Sequence, residues 1–214
     1  MFNDNKNTKL NFALQKLGFT HLLPEQQAPL DAILAGADII AILPTGSSKS
    51  LLYQLPAVID GGQRLTLVIS PLRALQKDQV DSLTAKGVQA TVLNSDLTPA
   101  QHEAVLAAMC EGGGLLYLVP EQLQNPTVAA ALQQAHISRI ALDETHIMPQ
   151  AKDDFRKAYD KIGKFIQTLP QRPQILALTA TATRGDVRRI RKSLRMYEDT
   201  GIFRAPVRRE ICIS

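Results

Sequence analysis

The chain has 214 residues, room for one large α/β domain or two small ones. At 45% hydrophobic and 21% charged it can bury a sizeable core, and no apolar run reaches the roughly 18 residues of a membrane helix. The polar start, Met1 to Asn11, lacks the apolar stretch of a secretory signal. Cys110 and Cys212 lie far apart, which argues against a disulfide framework, rules out a paired-cysteine zinc site and suits a reducing cytosol.

Taken in chain order, short apolar runs alternate with amphipathic helical patterns. Candidate strands are Ile39–Leu43, Leu65–Ile69, Leu115–Val119, Ile137–Leu142 and Ile175–Leu178, with Val88–Leu93 a weaker one. Each is bounded by Gly, Pro, Ser or charge, as expected for parallel strands covered on both faces. In Asp154–Gln167, Phe155, Tyr159, Ile162 and Ile166 form one apolar stripe. In Thr183–Arg195 the stripe is Val187, Ile190 and Leu194, and Arg and Lys occupy most of the rest. The net charge of +4 is uneven, with nine Lys+Arg against four Asp+Glu from Thr183 onward. That asymmetry reads either as a basic patch for an anionic partner or as a solvated helix face. The alternation predicts a doubly wound α/β fold with a mainly parallel sheet, whose ligands bind beyond the carboxyl ends of the strands. Gly201 to Ser214 begins a further β-like stretch.

The chemistry-bearing residues follow the strands. After Ile39–Leu43 comes Pro44-Thr45-Gly46-Ser47-Ser48-Lys49-Ser50 and then a helical pattern. This is the context of a phosphate-binding P-loop, in which backbone N–H groups converge on phosphate oxygens at a helix N-terminus. Lys49 suits the β- and γ-phosphates and Ser50 the Mg²⁺. The usual glycine before the lysine is Ser48. The competing reading is a helix start capped by Ser47 or Ser48. After Ile137–Leu142 come Asp143-Glu144-Thr145-His146. A carboxylate pair at a strand tip fits an Asp holding Mg²⁺ and a Glu orienting water; the alternative is a pair of carboxylates favoured by a helix dipole. His21, His102 and His136 lack metal-ligand spacing, and no GxSxG nucleophile elbow is present.

The order of these segments resembles the first RecA-like motor domain of RecQ-family superfamily 2 DNA helicases. Leu17-Gly18-Phe19-Thr20 with Leu23-Pro24-Glu25-Gln26 resembles motif 0, Thr45–Ser50 motif I, and Ser70 to Val80 motif Ia. Tyr117 to Leu123 resembles the motif Ib region, Asp143–His146 a DEAH-type motif II, and Leu178-Thr179-Ala180-Thr181-Ala182 motif III. The resemblance implies ATP and Mg²⁺ as cofactors, with Thr45, Gly46, Ser47, Ser48, Lys49 and Ser50 around the phosphates. It places Phe19 on the adenine face and Gln26 at its edge, Ser50 and Asp143 at the metal, and Lys49, Asp143, Glu144 and His146 in catalysis. Ser70, Arg73, Lys77, Phe155 and Arg156 would meet DNA, and Thr179 and Thr181 would couple the two sites.

The resemblance further implies residues 16–205 as the ATP-binding domain, with 1–15 as an extension and 206–214 leading toward a second RecA-like domain. It implies a cytosolic or nucleoid helicase moving 3′ to 5′, with DNA as partner and no membrane. Departures fall at Leu23, Ser48, Gln122, Thr145, Ala151 and Asp153. A helicase motor half is the leading expectation; a nucleic-acid-binding module with a decayed ATP site is the alternative.

Overall fold

The apolar runs form strands because each can be buried on both faces. The computed structural model describes residues 2–93, 97–143 and 152–205, without the side chains of 2–6, 99, 110 and 152–158. Seven strands pair in the order β3-β4-β2-β5-β6-β1-β7. They are β1 (Ile39–Ile42), β2 (Leu65–Ile69), β3 (Ala90–Leu93), β4 (Gly114–Leu118), β5 (Ile137–Leu142), β6 (Gln174–Thr179) and β7 (Gly201–Arg204). Every pairing is parallel. The weak strand starts at Ala90 because Val88 donates its N–H to Leu83 O at 2.9 Å, completing the turn that closes the preceding helix. The β-like stretch near the C-terminus is β7, an edge strand on β1.

Strand residues alternate between two cores. Ile40, Leu67, Leu116, Ile140 and Ile175 point to one side. There they meet α5 (Pro99–Gly112), α6 (Pro126–Gln134), α7 (Lys152–Thr168) and α8 (Arg184–Leu194). Ile39, Ala41, Val68, Leu115 and Leu176 point to the other. That side is covered by α1 (Phe2–Lys16), α2 (Pro24–Leu34), α3 (Leu51–Ile59) and α4 (Arg73–Ala85). The result is three layers, α/β/α, as the alternating pattern requires.

Of residues 1–15, set apart in the sequence as an extension, 2–15 supply most of α1. Ala13 and Leu14, with Leu17 just beyond, are buried in the second core, so the C-terminal end of α1 is packed onto the domain. Gly18, at φ 81°, ends α1: its N–H bonds Gln15 O and the Phe19 N–H bonds Leu14 O. A left-handed residue is needed there, which favours glycine. The turn sends Phe19 back against the core.

The C-terminal basic stretch is mainly an amphipathic helix. Val187, Ile190 and Leu194 are buried while Arg188, Arg189 and Lys192 face water. Thr183 caps α8 reciprocally with Asp186. The Thr183 hydroxyl holds the Asp186 carboxyl below its usual range, so the cap contributes above ordinary aspartate pKa values and fades as pH falls through the lowered one. At the amino edge of the sheet, Arg172 pairs with buried Asp38 at 2.5 Å and lies over the Tyr197 ring at 4.3 Å. Arg139 pairs with Asp60 at 2.5 Å on the same edge.

Helices α7 and α8 touch at Gly163, where an added Cβ would collide with the carbonyl oxygen of Ser193. The Ser193 hydroxyl donates to Asp160 Oδ1 at 2.7 Å beside that contact. Gly163→Ala must push the two helices apart. It is expected to lower stability by about 1–3 kcal/mol despite the better helix propensity of alanine. Urea denaturation of both forms measures this.

Candidate nucleotide site

Parallel pairing puts every strand's carboxyl end at one edge, and strand order sets which loops are neighbours there. Across β2-β5-β6-β1 the edge carries Ser70, Asp143, Thr179 with Thr181, and the loop Pro44–Ser50 in turn. Asp143 and the loop are therefore two strands apart, roughly 10 Å between backbones.

The loop leaves β1 and turns back through Gly46, at φ 80°, and Ser48, at φ 47°. Ser48 is one of two non-glycine residues with positive φ among the described residues. It adopts the backbone conformation that glycine usually provides. Neither Ser47 nor Ser48 caps α3. The cap position is Ser50, without a side-chain cap bond, and the Ser47 hydroxyl donates to Pro44 O at 2.7 Å. The serine-cap reading of the loop is thereby replaced by a closed turn. Among the described residues, the N–H groups of Gly46, Ser48 and Ser50 donate to no backbone carbonyl. Unspent donors at the start of a helix fit phosphate oxygens. Lys49 is 6% exposed, and its Nζ donates to Pro44 O at 3.4 Å. A buried ammonium folded against the loop meets the second requirement of a phosphate cradle.

Gln26 is buried and tied to this loop. Its Nε2 donates to Ser47 O at 2.6 Å and to Ser48 O at 3.4 Å, while its Oε1 accepts from Leu23 N–H at 2.8 Å. The side chain expected at a base edge thus also fixes the phosphate loop, and its remaining capacity is as an acceptor at Oε1. Phe19 is half-buried on the same side of the sheet.

Asp143 sits at the tip of β5, its N–H bonded to Ile69 O at 2.9 Å and its side chain buried. Tyr53 of α3 donates its hydroxyl to Asp143 Oδ2 at 2.8 Å. Burial first, and the Asp143 charge second, push the Tyr53 pKa well above its usual value, so the proton stays on the phenol. Tyr53 meets Tyr117 of β4 edge-on, with ring centroids 6.3 Å apart. The next residue, Gln54, donates to Gln79 of α4 at 2.5 Å. Sequence reasoning missed Tyr53 and Gln54. Their signal was two polar groups inside the otherwise apolar Leu51–Ile59.

Thr179 is buried, and its hydroxyl donates to Thr181 O at 2.8 Å and accepts the Thr181 N–H, shaping the turn after β6. Ser70 is also buried, and Gln76 Nε2 donates to its carbonyl at 2.7 Å. Arg73 and Lys77, one helical turn apart on α4, are exposed. Phe155 and Arg156 fall in the first turns of α7, with side chains outside the described residues; Glu144 and His146 lie wholly outside them.

A phosphate loop, a strand-tip aspartate and a threonine turn between them, on one parallel sheet, define a P-loop nucleotide-binding domain of RecA type. Residues 23–190 match the DEAD/DEAH box helicase family, and the chain belongs to that family. It is 43% identical over 180 residues to a probable ATP-dependent DNA helicase RecS of Bacillus subtilis, covering 83% of this chain and 35% of that protein. It is 39% identical over 188 residues to the ATP-dependent DNA helicase RecQ of Pasteurella multocida, covering 86% and 29%. The chain thus spans about a third of the length of these relatives. The helicase MrfA in its DNA-bound crystal structure shares the fold, with a TM-score of 0.76 at 18% identity over 92% of this chain and 29% of that one. The helicase Lhr of Mycobacterium smegmatis, solved with single-stranded DNA and AMP-PNP, gives 0.71 at 22% identity, covering 92% and 27%.

Because Ser48 is left-handed, Ser48→Gly should relieve about 1–2 kcal/mol of strain, against roughly 0.5–1 kcal/mol of extra chain entropy. Thermal melting is expected to shift upward by about 1–3 °C. An unchanged or lower melting temperature would mean that the loop carries no strain at this position.

Proposed function

We propose that the chain is the ATP-binding first half of the motor of a RecQ-like, ATP-dependent DNA helicase moving 3′ to 5′. The observation that carries the reading is the turn at Gly46 and Ser48, which leaves free N–H donors beside a buried Lys49 on the same sheet edge as Asp143. Identity of 39–43% with RecQ and RecS helicases supports the substrate class.

In this reading Lys49 and the loop N–H groups hold the β- and γ-phosphates. Ser50 and Asp143 hold Mg²⁺, which when bound neutralises charge on the phosphate oxygens. Gln26 accepts from the adenine edge, Phe19 packs on the adenine face, Glu144 orients the attacking water, and His146 belongs to the same catalytic motif. The threonine turn, Thr179 and Thr181, passes the nucleotide state toward DNA. Arg73 and Lys77 grip the DNA backbone, together with Ser70, and Phe155 and Arg156 meet it from a second element. A second RecA-like domain closes the cleft and supplies the arginine that stabilises charge on the transferring phosphoryl group, a contribution of roughly 10³–10⁵ in rate. The work belongs in the cytosol or nucleoid, and no helix of the described residues is long and apolar enough to cross a membrane.

Lys49→Ala is expected to abolish measurable binding of a fluorescent ATP analogue. Gln26→Ala is expected to weaken it and to loosen the preference for adenine over guanine. Equal nucleotide affinity in wild type and Lys49→Ala would reject the ATP site and leave a nucleic-acid-binding module as the better reading.

Single-stranded DNA binding by the chain should fall with salt, with a log–log slope on the order of 0.7 per phosphate contact. Arg73→Ala with Lys77→Ala is expected to reduce that slope by about 1.4 and to weaken affinity for all sequences alike. Fluorescence anisotropy at several salt concentrations measures both quantities.

A further inference from the structure

The sheet edge contains a polar group that the phosphate and metal assignments do not use. Tyr53 is fully buried inside the apolar helix α3, two residues beyond that helix's first. Phenylalanine would fill the same volume and keep the edge-on contact with Tyr117. What tyrosine adds is one hydroxyl, and that hydroxyl donates to Asp143 Oδ2 at 2.8 Å. A buried hydroxyl is retained at a cost unless its bond matters to the group it meets.

We propose that Tyr53 is the positioning residue for the metal-holding carboxylate. The proposal rests on the reading of Asp143 as a Mg²⁺ site. The charge-assisted bond fixes one carboxylate oxygen and with it the rotation of the Asp143 side chain. Asp143 follows the last residue of β5, where its own backbone is held by Ile69. Tyr53 stands on the helix that continues directly from Lys49 and Ser50, so the bond ties the carboxylate to the same rigid element that carries the phosphate loop. Cation affinity then depends on a preset geometry instead of a rotamer chosen when the ion arrives.

The test is a Mg²⁺ titration at fixed concentration of a fluorescent ATP analogue, in wild type, Tyr53→Phe, Asp143→Asn and the double variant. Tyr53→Phe should raise the Mg²⁺ midpoint about tenfold while nucleotide affinity in EDTA stays within about twofold of wild type. In the Asp143→Asn background the same substitution should add nothing. Equal midpoints in wild type and Tyr53→Phe would overturn the proposal, as would equal losses with and without Mg²⁺, which mark a packing role alone. A wild type whose nucleotide binding ignores Mg²⁺ would instead reject the metal reading, and the role of Tyr53 with it. The chain has no Trp, so near-UV circular dichroism reports its tyrosines directly. Because the bond is preset, adding Mg²⁺ to nucleotide-saturated wild type should leave that band in place. A tyrosine band that appears only with Mg²⁺ would overturn the proposal even if Tyr53→Phe fails to fold.

Discussion

Parallel strands all end on the same side, and that constraint organises the molecule. A parallel sheet needs a crossover between each pair of strands, and here the crossovers cover both faces with helices. With both faces of the central strands buried, their ends are what meets solvent, while the edge strands β3 and β7 stay partly exposed. The carboxyl edge then gathers Ser70, Asp143, Thr179 and the loop Pro44–Ser50 from segments more than a hundred residues apart at the extremes. The amino edge is tied differently, by the pairs Asp38–Arg172 and Asp60–Arg139. Two of the charged pairs of the structure lie on the amino edge, while the carboxyl edge carries the loop donors and the carboxylate of the proposed nucleotide site.

At the carboxyl edge the polar groups are buried yet connected. Gln26 fastens the phosphate loop to α2, and Tyr53 fastens Asp143 to α3. Gln54, beside Tyr53, fastens α3 to α4, which carries Arg73 and Lys77. Each bond joins two rigid elements, so the site is held by the helices as well as by its loops. The left-handed serine in the phosphate turn is, with Arg195 at the end of α8, one of two places among the described residues where the local sequence opposes the backbone it must adopt. Its neighbours compensate: Gln26 bonds the carbonyls on both sides of the strained link.

Much of the fold was legible in the sequence because buried parallel strands leave an unambiguous trace. Five apolar runs were strands with ends moved by no more than a residue, and the weak run lost only its start to the turn closing α4. The stripes in α7 and α8 were legible for the same reason, since Tyr159, Ile162 and Ile166, like Val187, Ile190 and Leu194, lie on one face at helical spacing. That Ser48 stands where a glycine is usual was legible from its place in the loop, but the choice between a left-handed turn and a serine cap was not. What sequence periodicity does not encode is which buried polar atom meets which. Gln26 turning its amide onto the loop, and Tyr53 reaching a residue 90 positions away, are outcomes of three-dimensional closure. The contact between Gly163 and Ser193 was equally hidden, because a helical glycine gives no sign of what presses against it.

The central claim is that the phosphate turn and the β5 tip form one site for a nucleotide and its cation. The most direct measurement is a crystal structure of the chain with Mg²⁺ and a non-hydrolysable ATP analogue. The account predicts the β- and γ-phosphates over Thr45–Ser50, contacted by Lys49, and the cation between Ser50 and Asp143 with the Tyr53 bond kept. A cavity of about 510 Å³ opens at the amino edge, lined by Lys9 and Arg64 together with the Arg139–Asp60 pair. A nucleotide seated there, with the loop Pro44–Ser50 empty, would contradict the account.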